Sequence, residues 1–151
     1  MKIERIDHIH ILVKDLEGAI KFLSDIMGTK WIGPIDRRPI GRQLRVAFDN
    51  IGLELLSPTS PDDPWGPIIE REGEGVCSLG LKVPDIDEAI AELEAKGIRL
   101  ERRGEIPDVK FAIFYPEDCY GVRIELVQYE TMQPIGVANV GKMGELPWFR
   151  G

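Results

Sequence analysis

The sequence predicts an α+β protein built from two βαβββ modules, and three observations support this prediction. In Ile6–Val13, apolar and polar residues alternate with period two, as in a half-buried strand. The pattern of Val13–Ile20 returns in Val83–Ile90, where valine, aspartate, alanine and isoleucine keep their places. A second pair of stretches, Leu53–Leu56 and Ile124–Val127, has glutamate at the second position of each. An internal repeat of this kind indicates two copies of one supersecondary unit.

The first module is predicted to span residues 1–57. After the opening strand, Asp15 is placed to cap a helix, apolar residues recur at helical spacing, and Gly28 is placed to end it. The rest is predicted as a strand at 29–33, a loop at 34–42 and strands at 43–49 and 52–57.

A linker rich in proline, glycine and acidic residues is predicted at 58–75, followed by a second module at 76–130. The second module is predicted to contain strands at 77–83, 99–103, 109–115 and 122–129, a helix at 86–95 and a turn at 104–108. The tail, 131–151, has many apolar residues but little periodicity. We expect it to pack on its own domain or on a partner subunit.

Charge and composition narrow the function classes. The net charge of −7 argues against a general nucleic-acid binder, which needs a basic face to neutralise phosphates. No stretch has the roughly 18 apolar residues that a membrane span requires, and the N-terminus lacks the features of a signal peptide. The two cysteines form no CxxC motif. We therefore predict a cytoplasmic protein without nucleic-acid or membrane partners.

An arginine-rich stretch follows the first helix and has two interpretations. It could meet a small anionic substrate, or its members could be solvated surface side chains, and the second interpretation is favoured. Its members are Arg37, Arg38, Arg42 and Arg45.

The first strand places two histidines on one face, because side chains alternate along a strand. His8 and His10 lie two residues apart, and the alternate residues are apolar. Two imidazoles at this spacing could approach one metal ion, or they could line a polar face beside a pocket.

Three stretches resemble the vicinal oxygen chelate superfamily, which includes glyoxalase I, bleomycin-resistance proteins, extradiol dioxygenases and methylmalonyl-CoA epimerase. They are Ile6–Ile9 with the acidic turn behind it, Glu54–Leu56, and Tyr115–Leu126, and the last is most like the epimerase branch. The resemblance implies a curved, cup-shaped mixed sheet with the helices outside and a divalent metal inside.

The resemblance also implies a ligand set. The first-strand histidine of the family corresponds to His8, and its last-strand ligands correspond to Glu54 and Glu125. The remaining position, usually histidine, corresponds to Ser78, and serine is a poor ligand for such metals. Strand alternation places His8, Glu54 and Glu125 on the same face as His10. Burying an unpaired carboxylate on such a face costs free energy.

The sequence is compatible with three hypotheses. In the first, His8, Glu54 and Glu125 hold Mn, Fe, Co, Ni or Zn, with water or substrate at the position that Ser78 leaves open. In the second, a histidine–glutamate pair transfers protons without a metal. In the third, the cup binds a small molecule without catalysis, as bleomycin-resistance proteins do.

The favoured function is a metal-dependent isomerase, epimerase or lyase acting through the enolate of a small oxygenated carbonyl compound, with a CoA thioester as one possibility. The predicted catalytic residues are His10, Glu54 and Glu125. The predicted pocket residues are Ser78, Lys82, Tyr115 and Arg123. The resemblance further implies a homodimer.

Overall fold

The structure, a computed structural model, describes residues 1–106 and 109–130 of the 151-residue chain. The strands are β1 (Arg5–Leu12), β2 (Trp31–Asp36), β3 (Leu44–Asp49), β4 (Leu53–Pro58), β5 (Gly75–Lys82), β6 (Leu100–Ile106), β7 (Val109–Phe114) and β8 (Ile124–Gln128). The helices are α1 (Leu16–Met27), α2 (Gly66–Glu72) and α3 (Ile86–Ala95), with short 3-10 turns at Arg38–Ile40 and Pro116–Asp118. The predicted tail packing at 131–151 lies outside the described residues.

The described chain divides into two compact units, and one boundary falls inside β1, between Ile9 and His10. The α1 unit comprises residues 10–76. The α3 unit comprises residues 1–9 together with the described residues from 77 to 130.

In the α1 unit, the strands follow the order β2-β3-β4-β1, and the β2–β3 and β3–β4 pairs are antiparallel. Asp15 caps α1 by accepting a hydrogen bond from the backbone N–H of Gly18, and Gly28 ends the helix in a left-handed conformation, as predicted. The apolar stripe of α1 packs on a core that contains Leu16, Ala47 and Leu55.

In the α3 unit, the strands follow the order β1-β5-β8-β7-β6. β5 and β8 are parallel, whereas β7 is antiparallel to both β6 and β8, so the pairing is mixed. Asp85 caps α3 in the same manner as Asp15 caps α1. The helix covers Ala112, Phe114 and Leu126 from β7 and β8. The predicted βαβββ pattern is therefore present in both halves of the sequence.

Three predicted segments differ from the structure. Strand β2 continues to Asp36, where a loop was predicted from residue 34, because Pro34 lies at an irregularity in the β2–β3 register that needs no ladder donor. Strand β6 likewise continues through Gly104 to Ile106. Gly104 faces Phe111, and a Cβ there would lie 2.5 Å from Cζ of that ring. This glycine therefore permits a close approach within the sheet and does not form the predicted turn.

The predicted linker contains helix α2, whose apolar residues Ile68 and Ile69 are buried together with Trp65. The module boundaries at 57, 75 and 130 remain predictions.

Among the described helices, none is long and apolar enough to cross a bilayer.

Candidate active site

Strand β1 supplies both histidines of the chain, and both are buried, with 2% of His8 and 5% of His10 exposed. Beyond His10, Ile11 and Val13 pack against the core under α1, as the alternating pattern predicts. Each histidine contacts a buried glutamate of its own unit.

In the α3 unit, His8 lies between two carboxylates. Its Nδ1 is 2.9 Å from Oδ2 of Asp7, and its Nε2 is 3.4 Å from Oε2 of Glu125. Gly80 on β5 pairs with Glu125 on β8 and leaves room for the imidazole, since a Cβ at that position would lie 2.6 Å from Nδ1 of His8. The glycine and the glutamate together define where the ring of His8 lies.

The carboxylate of Asp7 accepts hydrogen bonds from a tyrosine and an arginine. The hydroxyl of Tyr129 donates to Oδ1 of Asp7, and Arg5 donates to the same carboxylate at 3.2 Å and to the tyrosine oxygen at 2.6 Å. Burial raises the pKa of Tyr129, and its hydrogen bond to Asp7 raises it further. The tyrosine therefore stays a donor at neutral pH, and Asp7 is positioned to accept the Nδ1 proton of His8.

In the α1 unit, His10 and Glu54 form the second pair. Nε2 of His10 is 2.9 Å from Oε2 of Glu54, and the rings of His10 and Trp65 are T-shaped to each other at a centroid distance of 5.5 Å. Glu54 lies opposite Phe48 in the β3–β4 register and is 7% exposed. The guanidinium of Arg37 lies 5.6 Å from the centroid of the Phe48 ring.

The four predicted pocket residues have different surroundings. Ser78 is buried on β5. Two of the four pair with carboxylates: Lys82 lies 2.7 Å from Glu4, and Arg123 donates to Glu101 at 3.0 Å. The ring of Tyr115 lies under the guanidinium of Arg99, which is itself paired with Asp118.

Comparison with known proteins assigns the family. The family profile described as Glyoxalase/Bleomycin resistance protein/Dioxygenase superfamily matches residues 7–112. The mitochondrial methylmalonyl-CoA epimerase of Mus musculus is 32% identical over 136 residues, which are 84% of this chain and 74% of that protein. The Homo sapiens enzyme is 33% identical over 131 residues, covering 82% and 73%.

The chain belongs to this superfamily.

A solved structure agrees with this assignment. A Streptomyces coelicolor methylmalonyl-CoA epimerase variant in complex with 2-nitronate-propionyl-CoA superposes with a TM-score of 0.73 at 28% identity, covering 87% of this chain and 99% of that one. The predicted α+β fold of the superfamily is confirmed, and so is the prediction of an isomerase-type enzyme. Enolate chemistry is the chemistry of its epimerase relatives, and metal dependence is a property of the superfamily.

The surroundings of His8 are compatible with a superfamily metal. With Asp7 accepting from Nδ1, a neutral imidazole has its lone pair on Nε2, which faces a carboxylate oxygen of Glu125. An imidazole nitrogen and a carboxylate oxygen are donors that such a metal accepts, so His8 and Glu125 would hold it.

Four residues near the two histidine–glutamate pairs are not predicted as site residues by the sequence. Asp7 is next to His8, and alternation places neighbouring side chains on opposite faces, so the pattern argued against their contact. Tyr129 is distant in sequence, and Trp65 lies in a stretch read as linker. Arg37 belonged to a cluster whose surface interpretation was favoured.

Proposed function

We propose that this protein epimerises a 2-carboxyacyl-CoA thioester of the methylmalonyl-CoA type. The observation that supports this most is the pairing of both buried histidines with buried glutamates, His8 with Glu125 and His10 with Glu54. Relatives named methylmalonyl-CoA epimerases are 32% and 33% identical to the chain.

His8 and Glu125 are the metal ligands that we assign, and Glu54 is the third ligand that the family resemblance implies. Of the predicted metals Mn, Fe, Co, Ni and Zn, all accept imidazole and carboxylate donors. A divalent metal, when bound, supplies Lewis-acid polarisation of the substrate carbonyl. Ser78 leaves one position for substrate or water.

His10 and Glu54 are assigned to proton transfer. The two roles predicted for Glu54, ligand and base, compete, and its 2.9 Å contact with His10 favours the base. Glu54 takes the proton from the α-carbon, and the electron pair of the broken C–H bond moves to the thioester carbonyl, which gives an enolate. Protonation of the enolate by solvent on the opposite face gives the other epimer, and Glu54 releases the abstracted proton to solvent. The predicted catalytic role of Glu125 competes with its role as a ligand, and its position 3.4 Å from Nε2 of His8 favours the ligand.

The experiment is proton exchange at the α-carbon. The protein, reloaded in turn with Mn²⁺, Co²⁺, Ni²⁺ and Zn²⁺, is incubated with one epimer of methylmalonyl-CoA in D₂O. NMR follows deuterium incorporation, and circular dichroism follows interconversion. We expect both signals with the wild type and a loss of about 10²- to 10⁴-fold in Glu54→Gln.

The exposed strand carboxylate Glu105 provides the matched control, since Glu105→Gln removes the same charge from the surface of β6. Its rate should equal that of the wild type. Absence of exchange and of interconversion with every metal would overturn the proposed reaction.

The finer statements about partners and location remain proposals. A small CoA ester is the substrate class of the relatives. A homodimer, a cytoplasmic location and the absence of nucleic-acid and membrane partners are carried over from the sequence as predictions.

A further inference from the structure

The arginine-rich stretch after α1 separates into paired and unpaired members. Arg38 donates to Asp36 at 2.7 Å, Arg42 binds Asp63 through two hydrogen bonds of 2.9 and 3.0 Å, and Arg45 pairs with Glu17. Within residues 1–106 and 109–130, no carboxylate lies within ion-pair distance of the guanidinium of Arg37. Three of the four arginines therefore have carboxylate partners, and of these three only Arg38 is exposed, as the surface interpretation predicts.

Arg37 is held in place by its backbone and by an aromatic ring. Its N–H donates to the carbonyl of Leu44 at 2.9 Å, and its carbonyl accepts from Ile40 and Arg42, both at 3.1 Å. The side chain is partly buried, and its guanidinium packs over Phe48 at 5.6 Å. The planar donor group is therefore largely oriented before any ligand arrives.

Among the residues that the structure describes, the charge of Arg37 lacks a compensating partner at close range. Burial lowers the pKa of its guanidinium, Arg42 lowers it further, and the carboxylate of Glu54 opposes the shift. Glu54 is already bonded to His10 at 2.9 Å. An anion that binds a partly desolvated guanidinium gains more binding free energy than one that binds an exposed arginine, because less water competes for the charge.

We propose that Arg37 is the anion-binding residue of the substrate pocket, taking a carboxylate or phosphate group of the substrate through its planar pair of N–H donors. This inference rests on the proposed function. Because Phe48, over which Arg37 packs, lies opposite Glu54 in the β3–β4 register, the bound anion is delivered next to the assigned base. Arg37 thereby selects substrates that have an anionic group.

The test is isothermal titration of the full chain with four probes: malonate, inorganic phosphate, methylmalonyl-CoA and propionyl-CoA. The variants are Arg37→Gln, Arg37→Lys and, as matched control, Arg38→Gln. The side chain of Arg38 is adjacent in sequence and 77% exposed. Thermal unfolding of each variant verifies that it is folded, and Arg37→Lys, which keeps the charge but loses the bidentate fork, should bind with intermediate affinity.

We expect Arg37→Gln to weaken binding of the recognised anion by about 10- to 100-fold and Arg38→Gln to change it by less than about 2-fold. A loss confined to malonate and methylmalonyl-CoA identifies the acyl carboxylate. A loss with phosphate and with both CoA esters identifies a phosphate of the CoA part.

The proposal is overturned if Arg37→Gln binds every probe as tightly as Arg38→Gln does, or if the wild type binds none of the four. A wild type that binds anions through Arg37 but neither exchanges nor interconverts methylmalonyl-CoA would instead overturn the proposed function and leave the role of Arg37 standing.

Discussion

Asp7 fixes the state of His8. Because its carboxylate accepts from Nδ1 at 2.9 Å and is itself held by Tyr129 and Arg5, the imidazole can neither flip nor exchange tautomers without breaking several hydrogen bonds. This carboxylate–histidine arrangement orients Nε2, the nitrogen that faces Glu125.

Replacing Asp7 should therefore weaken metal binding while leaving the ligands themselves in place. In Asp7→Asn we expect the affinity for Zn²⁺ or Co²⁺ to fall by about 10- to 100-fold, because the amide can donate to Nδ1 and favour the wrong tautomer. Titration with the metal measures the loss.

Tyr129→Phe gives a graded control for the Asp7 prediction, because it removes one hydrogen bond to Asp7 but keeps the carboxylate next to His8. Its affinity should fall between those of the wild type and Asp7→Asn. Unchanged metal affinity in Asp7→Asn would show that Asp7 does not position His8.

At this residue scale, the sequence predicts much of the site but not its supporting contacts. Alternation along β1 predicts that His8 and His10 share a face, which stays a prediction, and each histidine is buried beside a glutamate of its own unit. The contact of Asp7 with His8 could not be predicted, because it depends on side-chain rotamers that a period-two pattern does not contain.

At the scale of the element, two glycines show how the strands of the α3 unit accommodate rings. Gly80 on β5 leaves space for the imidazole of His8, and Gly104 on β6 leaves space for Phe111. Each glycine lacks a side chain at a strand position where a ring needs the space, so its role is close packing within the sheet.

Gly80→Ala and Gly104→Ala form a matched pair for a test of this role. Both should lower the free energy of unfolding by about 1–3 kcal/mol, because a new Cβ collides with a ring in each case. Only Gly80→Ala should also reduce metal affinity, since only that collision displaces His8. Equal metal affinity in the two variants would contradict the assignment of His8.

The same glycines and prolines explain which elements the sequence misplaces. Gly104 and Pro34 are typical turn residues, so the sequence predicts a turn and a loop where β6 and β2 continue. Helix α2 was missed because its seven residues lie among prolines and glycines. In contrast, α1 was predicted with its caps Asp15 and Gly28, and α3 was predicted with its range 86–95, because both helices have clear helical periodicity.

Across the whole molecule, the internal repeat determines the fold. The positions at which the two modules differ are the ones to which we assign function. Both modules place a glutamate at the second position of their last strand, Glu54 on β4 and Glu125 on β8. The first strands differ, because β1 contributes His8 and His10 whereas β5 has Ser78 and Gly80. Both histidines therefore lie on β1, and Gly80 on β5 leaves space for the ring of His8.

His8 is the metal ligand on which the proposed epimerase reaction depends. The most direct measurement is the metal content of the untagged wild type and of His8→Ala after reloading with Mn²⁺, Co²⁺, Ni²⁺ and Zn²⁺, determined by elemental analysis, with circular dichroism to verify that both are folded. We predict near one equivalent of metal in the wild type and none in the folded variant. A folded wild type that retains no metal, or a His8→Ala variant that retains as much as the wild type, would contradict the assignment of His8 as a metal ligand.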